Sequence, residues 1–157
     1  MTASFLILRI GETRLALPMT AVREVLPMLP IEASPGLPKP VLGFVSLQGT
    51  PVPVLAPALL LDPVARVDAI GLFSHLVRLR EDGPCLLVDR AEDVVVGSVA
   101  AVDPSHSLNA AIVGEIAVGE DVANVVAPDR LLLDSERATL AALTAAAAAR
   151  ADQWSAA

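Results

Sequence analysis

The side chains able to do acid–base, nucleophilic or metal chemistry are few and scattered. The 157 residues hold two histidines, His75 and His106, and one cysteine, Cys85. A metal needs donors that share one face at a fixed separation, and neither histidine stands in such a spacing. His75 falls in a strand pattern beside Arg78, and His106 falls in a loop between Ser105 and Ser107. Solvated or partly buried imidazoles account for both. Cys85 sits among Pro84, Leu86 and Leu87, an apolar setting that favours the inert thiol over the thiolate. Glu81-Asp82 and Glu92-Asp93 pair carboxylates as an acid–base site would, but each adjoins a turn or strand edge, where a solvated surface explains them. There is no glycine-rich phosphate loop, and no Ser-His-Asp set follows from spacing. The residues give no positive reason for an enzyme, and neither a metal nor an organic cofactor is expected.

The composition narrows the partners. Eleven Lys+Arg against 18 Asp+Glu give a net charge of −7, with an isoelectric point near 4.7. Nucleic acid and anionic lipid both demand clustered cations, so neither is expected as a partner. Hydrophobic residues make up 54% and aromatics only 3%, so Val, Leu and Ala must fill the core. A single cysteine forbids an internal disulfide and fits a reducing compartment. The first apolar run closes at Arg9 with no basic residue before it, too short for a signal-peptide core. Residues 40–61 carry no charge and are long enough to span a bilayer. Yet they hold Pro40, Pro51, Pro53 and Pro57 with Gly43 and Gly49, and an interior proline costs a helix about 3 kcal/mol. Two buried strands joined at Gln48-Gly49-Thr50 are expected instead, in a soluble, cytoplasmic protein.

The elements that would carry these residues are short. Phe5–Ile10 and Arg14–Leu17 flank Gly11-Glu12-Thr13, a hairpin signal. Thr20–Leu26 is ambiguous between a helical turn and a strand, and prolines 27, 30, 35, 38 and 40 then punctuate a loop. Val41–Leu47 pairs with Val52–Leu55, and Ala58–Leu61 makes one helical turn closed by Asp62-Pro63. Residues 64–71 read as a connector. His75–Arg80 alternates with one charged face, which predicts a half-buried strand. Glu81-Asp82-Gly83-Pro84 is a turn before Cys85–Val88, followed by a strand over Ala91–Val96. Ile112–Val118 and Val122–Ala127 flank Gly119-Glu120-Asp121. Residues 130–150 lack Gly and Pro and are rich in Ala and Leu, which predicts a terminal helix. Asp134 or Ser135 would cap it, Leu140 and Leu143 give its apolar stripe, and its Ala-rich end is expected to fray. The fold class is all-β, as small barrels or a sandwich, with one terminal helix. Val22, Val25, Leu26 and Leu29, bracketed by prolines, either form an apolar patch for a protein partner or plug a barrel.

The order of these segments resembles the CheW-like domain family. Phe5-Leu6-Ile7-Leu8-Arg9-Ile10-Gly11-Glu12 is similar to its first strand and turn, and Leu15-Ala16-Leu17-Pro18 with Ala21-Val22-Arg23-Glu24-Val25-Leu26 to its next segment. The stretch from Leu37 through Gly43 to Gln48-Gly49, followed by Pro51-Val52-Pro53-Val54-Leu55, resembles a family run ending in Leu-Arg-Gly and Pro-Val-Ile. Leu87-Val88-Asp89 leads into Glu92-Asp93-Val94, and Ile112-Val113-Gly114-Glu115-Ile116 and Arg130-Leu131-Leu132 complete the series. The likeness spans residues 4–145, leaving 146–157 as an Ala-rich tail that ends the helix.

The resemblance implies two SH3-like five-stranded barrels sharing a core, with a C-terminal α-helix, and no catalysis. It implies a scaffold that couples the cytoplasmic tip of chemoreceptors to the regulatory domain of a CheA-type histidine kinase in a membrane-associated array. It leaves room for other CheW-like proteins as partners. By family position Val22, Glu24 and Gln48 lie along a receptor groove between barrels, and Gly43, Gly49, Asp89 and Gly114 are structural. The chain departs from the family at Gln48, where an Arg is usual, and at Ala56 and Ala127, where an Asp is usual. The segment from Val102 to Ala111 is short. One alternative is a divergent CheW-like module that binds a kinase without coupling receptors. Another is a small barrel enzyme or ligand-binding domain, which would need a pocket holding His75 or His106 with Asp89.

Overall fold

A computed structural model describes residues 2–33, 35–61, 70–102 and 110–155. Eleven strands, a short helix and a long terminal helix follow in order. The strands are β1 (Ala3–Ile10), β2 (Thr13–Pro18), β3 (Val22–Pro27), β4 (Val41–Leu47), β5 (Thr50–Leu55), β6 (His75–Leu79), β7 (Cys85–Val88), β8 (Arg90–Gly97), β9 (Ala100–Ala101), β10 (Ile112–Val118) and β11 (Asp121–Val126). Helix α1 is Pro57–Leu61 and α2 is Asp134–Ser155. The ambiguous stretch after Pro18 resolves into both readings: a 3₁₀ turn at Met19–Ala21 and then β3. The expected connector over residues 64–69, Asp62-Pro63 and His106 lie outside the described residues.

Two antiparallel-rich sheets form. One runs β8-β1-β2-β11-β10-β9 and the other β3-β6-β7-β5-β4. The first has six strands rather than five, because the two-residue β9 pairs with Gly114 and Glu115. Each sheet encloses its own apolar cluster. Phe5, Ile7, Ala16, Ile116 and Val125 fill the first, and Val45, Val52, Val54, Leu76 and Cys85 fill the second. A third cluster, with Leu6, Leu8, Leu17, Leu55, Val77 and Leu86, lies on the opposite faces of the same strands and is shared. This explains the unbroken apolar run of β1. Alternate residues point to opposite faces of a strand, and here both faces are buried. The same holds for β6: Leu76 enters the second barrel and Val77 the shared core. The half-buried strand expected there is therefore buried on both sides, and His75 and Arg78, on opposite faces by parity, do not sit side by side.

The chain consists of two equivalent stretches, β1–β5 and β6–β11, and each barrel takes strands from both. Hairpins β1–β2 and β6–β7 correspond, as do β4–β5 and β10–β11. Each β4–β5-type hairpin joins its sheet through a parallel pair, β5 to β7 and β11 to β2. From its third strand on, each half crosses to the other half's first hairpin: β3, β4 and β5 share a sheet with β6 and β7, and β8 to β11 share one with β1 and β2, beginning with the pairs β3–β6 and β8–β1. Even the irregularities recur. A bulge falls at Arg23 in β3 and at Glu92 in β8, and another precedes Gly43 in β4 and Gly114 in β10. After the hairpins, the amide of Ala56 donates to the Pro40 carbonyl at 2.9 Å and that of Ala127 to the Ala111 carbonyl at 2.8 Å.

The glycines expected to be structural have physical reasons. The backbone of Glu32 exchanges two hydrogen bonds with Phe44, at 2.8 and 2.9 Å, and so closes the second barrel. A Cβ on Gly43 would collide with the Glu32 carbonyl, and a Cβ on Gly114 with Val99 and the Ala100 carbonyl. Gln48 and Gly49 form the two-residue turn of β4–β5 with φ of 53° and 80°, the left-handed pair that a type I′ turn requires. Asp89 ties the halves together: its carboxylate accepts the Gly11 amide at 2.6 Å, and its own amide donates to the Arg9 carbonyl at 2.9 Å.

Helix α2 begins one residue after Leu133, whose amide donates to the Glu136 carboxylate at 2.7 Å. This is the reciprocal half of a capping box, so Glu136, rather than Asp134 or Ser135, serves the helix start. Leu140 is buried in the shared core and Leu143 is half-buried. The Ala-rich end expected to fray is helical through Ser155.

Candidate partner-binding surfaces

The structure separates the three residues placed together by family position. Val22 is 5% exposed and belongs to the shared core, opposite Leu79. It is the barrel-filling reading, not the anchor reading, that fits it. Glu24 would share a face with Val22 in a regular strand, but the bulge at Arg23 reverses the parity. Glu24 therefore stands opposite Arg78, on the face that lines the second barrel. The Arg78 Nη1 donates to Glu24 Oε1 at 3.4 Å. Gln48 is exposed at the β4–β5 turn, and among the described residues its side chain has no hydrogen-bond partner. Strands β5 and β7 run parallel, so the Gln48-Gly49 turn and the Glu81–Gly83 turn open at the same end of the second barrel. Glu24 and Arg78 lie in the layer next to that end.

The exposed apolar position of β3 is Val25, at 41%. It lies opposite Val77, so it occupies the face that turns toward the shared core. Val94, at 50% exposure, holds the same register position on β8, opposite Leu6 of that core. Leu26 and Leu29 pack against the second barrel's cluster. Sequence reasoning named Val25 within its apolar patch but missed Val94. The recurrence of the bulged strand, Arg23-Glu24-Val25 and Glu92-Asp93-Val94, is the signal that marks it.

Other residues flagged in the sequence are structural. Arg14 on β2 bridges Asp121 at 2.6 Å and Glu92 at 3.3 Å, which raises the guanidinium pKa, mainly through the Asp121 hydrogen bond. Asp82 pairs with Arg23 at 3.5 Å across the rim. Cys85 is fully buried, and loss of solvent pushes its pKa up to about 11, against a smaller opposing pull from Arg78. It is a core thiol. A groove of about 1260 Å³ separates α2 from the second sheet, lined by Leu79, Leu86 and Ala145 among others, and a cavity of about 160 Å³ lies under the start of α2. Neither holds His75 or Asp89. Among the described residues no cluster of His, Cys, Asp and Glu could hold a metal ion, and no helix is long and apolar enough to cross a membrane.

A model of the CheW-like domain family matches residues 4–136. The chain belongs to the CheW-like domain family. Among solved structures it is similar to the scaffolding protein TtCheW from Thermoanaerobacter tengcongensis, with a TM-score of 0.73 at 17% identity over 85% of this chain and 90% of that one. No curated protein matches it. The two-sheet architecture with one C-terminal helix is that of the CheW fold, with its two SH3-like barrels. Membership makes this CheW-like chain a non-catalytic scaffold of the chemotaxis-coupling kind. The equivalence of its two halves makes Ala56 and Ala127 one position occurring twice. Both follow the last strand of a hairpin and use their amide in the same way.

Proposed function

We propose that this CheW-like protein couples chemoreceptors to a CheA-type histidine kinase. It is cytoplasmic, recruited to membrane-associated receptor arrays, and meets the kinase through that protein's CheW-like regulatory domain. The receptor's cytoplasmic tip docks on the inter-barrel face, where Val25 and Val94 supply apolar anchors in place of the buried Val22, with Glu24 and Gln48 at the adjoining end of the second barrel. Burying a fully exposed valine contributes roughly 1.5–3 kcal/mol, and Val25 and Val94 keep about half of their surface to bury, so they anchor a wider contact rather than supply it alone. The observation that carries this reading is the pair of exposed valines at equivalent positions of the two exchanged strands, on a chain of the coupling family without a catalytic set.

A second reading, kinase binding without receptor coupling, draws support from Gln48. The family's Arg offers five donors and a charge, whereas Gln offers two donors and none. Binding titrations against the kinase regulatory domain and a receptor-tip fragment separate the two. Binding of both supports the coupler, binding of the kinase domain alone supports the second reading, and binding of neither overturns both.

A further inference from the structure

The two barrels share a strand order apart from β9, and their equivalent layers near the bulged strand carry different chemistry. In the first, Ile7 stands between Ala16 of β2 and Asp93 of β8. In the second, the same positions are Arg78, Cys85 and Glu24. An apolar side chain is thus replaced by a guanidinium at the barrel mouth. Its side chain is only 14% exposed, that of Glu24 is 43% exposed, and a single 3.4 Å contact joins them. The Arg78 Nε is buried and without a hydrogen-bond partner among the described residues.

A guanidinium carries five N–H donors and a carboxylate two acceptor oxygens. One contact leaves donors and an acceptor side by side in a site that is neutral as a whole. The complementary group is one that presents a carbonyl and an N–H together, which is an amide. A second carboxylate would meet Glu24, and an ammonium would meet Arg78. We infer that the Glu24–Arg78 pair is a recognition site for an amide of a partner protein, from Asn, Gln or main chain, inserted at the mouth of the second barrel. Arg78 then distinguishes the second barrel from the first, whose Ile7–Asp93 layer lacks the donor. The inference rests on the adaptor reading above.

The test measures Arg78→Met, Glu24→Gln and Glu24→Leu in the full chain against the kinase regulatory domain and the receptor-tip fragment, at low and high salt. Replacing a buried ion pair's cation with an apolar side chain of similar length tests the hydrogen bonds, and Glu24→Gln keeps an acceptor oxygen. We expect Arg78→Met and Glu24→Leu to lose at least tenfold in affinity for the receptor-tip fragment, at both salt concentrations, with the kinase regulatory domain unaffected; the reverse pattern overturns the inference. Glu24→Gln should retain most of the binding. Thermal unfolding of each variant shows that the loss is not unfolding, and a variant that does unfold is replaced by Arg78→Lys, which should also bind weakly because an ammonium lacks the planar fork. Equal loss for both partners, no loss for either, or a loss that vanishes at high salt overturns the inference. A wild-type chain that binds neither partner overturns the adaptor reading and this inference with it.

Discussion

Val25 on β3 and Val94 on β8 hold the same register position in the two halves of the molecule, one opposite Val77 and the other opposite Leu6. Each follows a one-residue bulge, each lies on the face of the shared core, and each is among the exposed large apolar side chains. Because a bulge reverses which face the next residues occupy, the exposed valine in each strand lies three residues beyond a buried or half-buried one, Val22 or Ala91.

From this follows a contrast between neighbours on one strand. Val25→Asp and Val94→Asp should leave the fold intact and weaken receptor-tip binding tenfold or more. Val22→Asp places a charge in the shared core and should cost more than ~4 kcal/mol, enough to unfold a marginally stable domain. Circular dichroism with binding titration checks both. A folded Val22→Asp protein, or a Val25→Asp, Val94→Asp double variant with wild-type receptor affinity, would contradict the assignment.

Gly43 and Gly114, which each admit a neighbouring backbone, should both resist a side chain. A methyl group on Gly43 or Gly114 meets a carbonyl oxygen that closes the respective barrel, and overpacking of this kind costs about 1–3 kcal/mol. Denaturant midpoints of Gly43→Ala and Gly114→Ala should both fall, further for Gly43, whose φ of 151° side chains rarely adopt, whereas Gly71→Ala, whose Cβ would meet only the Ser74 hydroxyl at ordinary contact distance, should not.

Cys85 gives the protein an alkaline weakness. Its folded-state pKa is about 11 against an ordinary value of 9.0, so the unfolded chain ionises first as pH rises. The thiol's stabilising effect is complete below pH 9 and is lost progressively from there to pH 11. Two pH units correspond to roughly 2–3 kcal/mol. The chain contains no tyrosine and Lys39 is its only lysine, so little else titrates in that window. Unfolding titrations at pH 8, 9, 10 and 11 should show the decline in the wild type and a flatter profile in Cys85→Ala. Parallel profiles would refute it.

Much of the secondary structure is legible in the sequence because its turns are local. Gly11-Glu12, Gln48-Gly49 and Gly119-Glu120 each specify a hairpin by backbone conformation alone. The strand exchange is not legible, because β3 and β6 lie about 50 residues apart in sequence and nothing local distinguishes β6 from β1 as a partner. The internal equivalence was available: Val41-Leu42-Gly43 through Ala56-Pro57 recurs without a gap as Ile112-Val113-Gly114 through Ala127-Pro128, 71 residues on. Only a few residues are identical, so the repeat shows as a pattern of apolar positions rather than as a motif. At the site, alternation puts Val22 and Glu24 on one face, and only the bulge at Arg23 separates them. The two-residue β9 has no sequence signal.

Gln48 tests whether the chain has adapted to its partners. By the family resemblance Gln48, Ala56 and Ala127 each stand where a charged residue is expected, and we propose that the partner lacks the matching charges. Gln48→Arg should leave receptor and kinase affinity unchanged or lower, because a desolvated guanidinium without an anion is costly. A gain of more than tenfold, about 1.4 kcal/mol, that disappears as salt rises would show a weakened coupler instead.

Coupling requires that both partners be held at once, and simultaneous binding tests that most directly. With the kinase regulatory domain saturating the protein, the receptor-tip fragment is titrated in and its affinity compared with that for the protein alone. The adaptor account predicts a ternary complex with receptor affinity equal to or above that of the binary complex. Displacement of one partner by the other, or no receptor binding to either form, would contradict it.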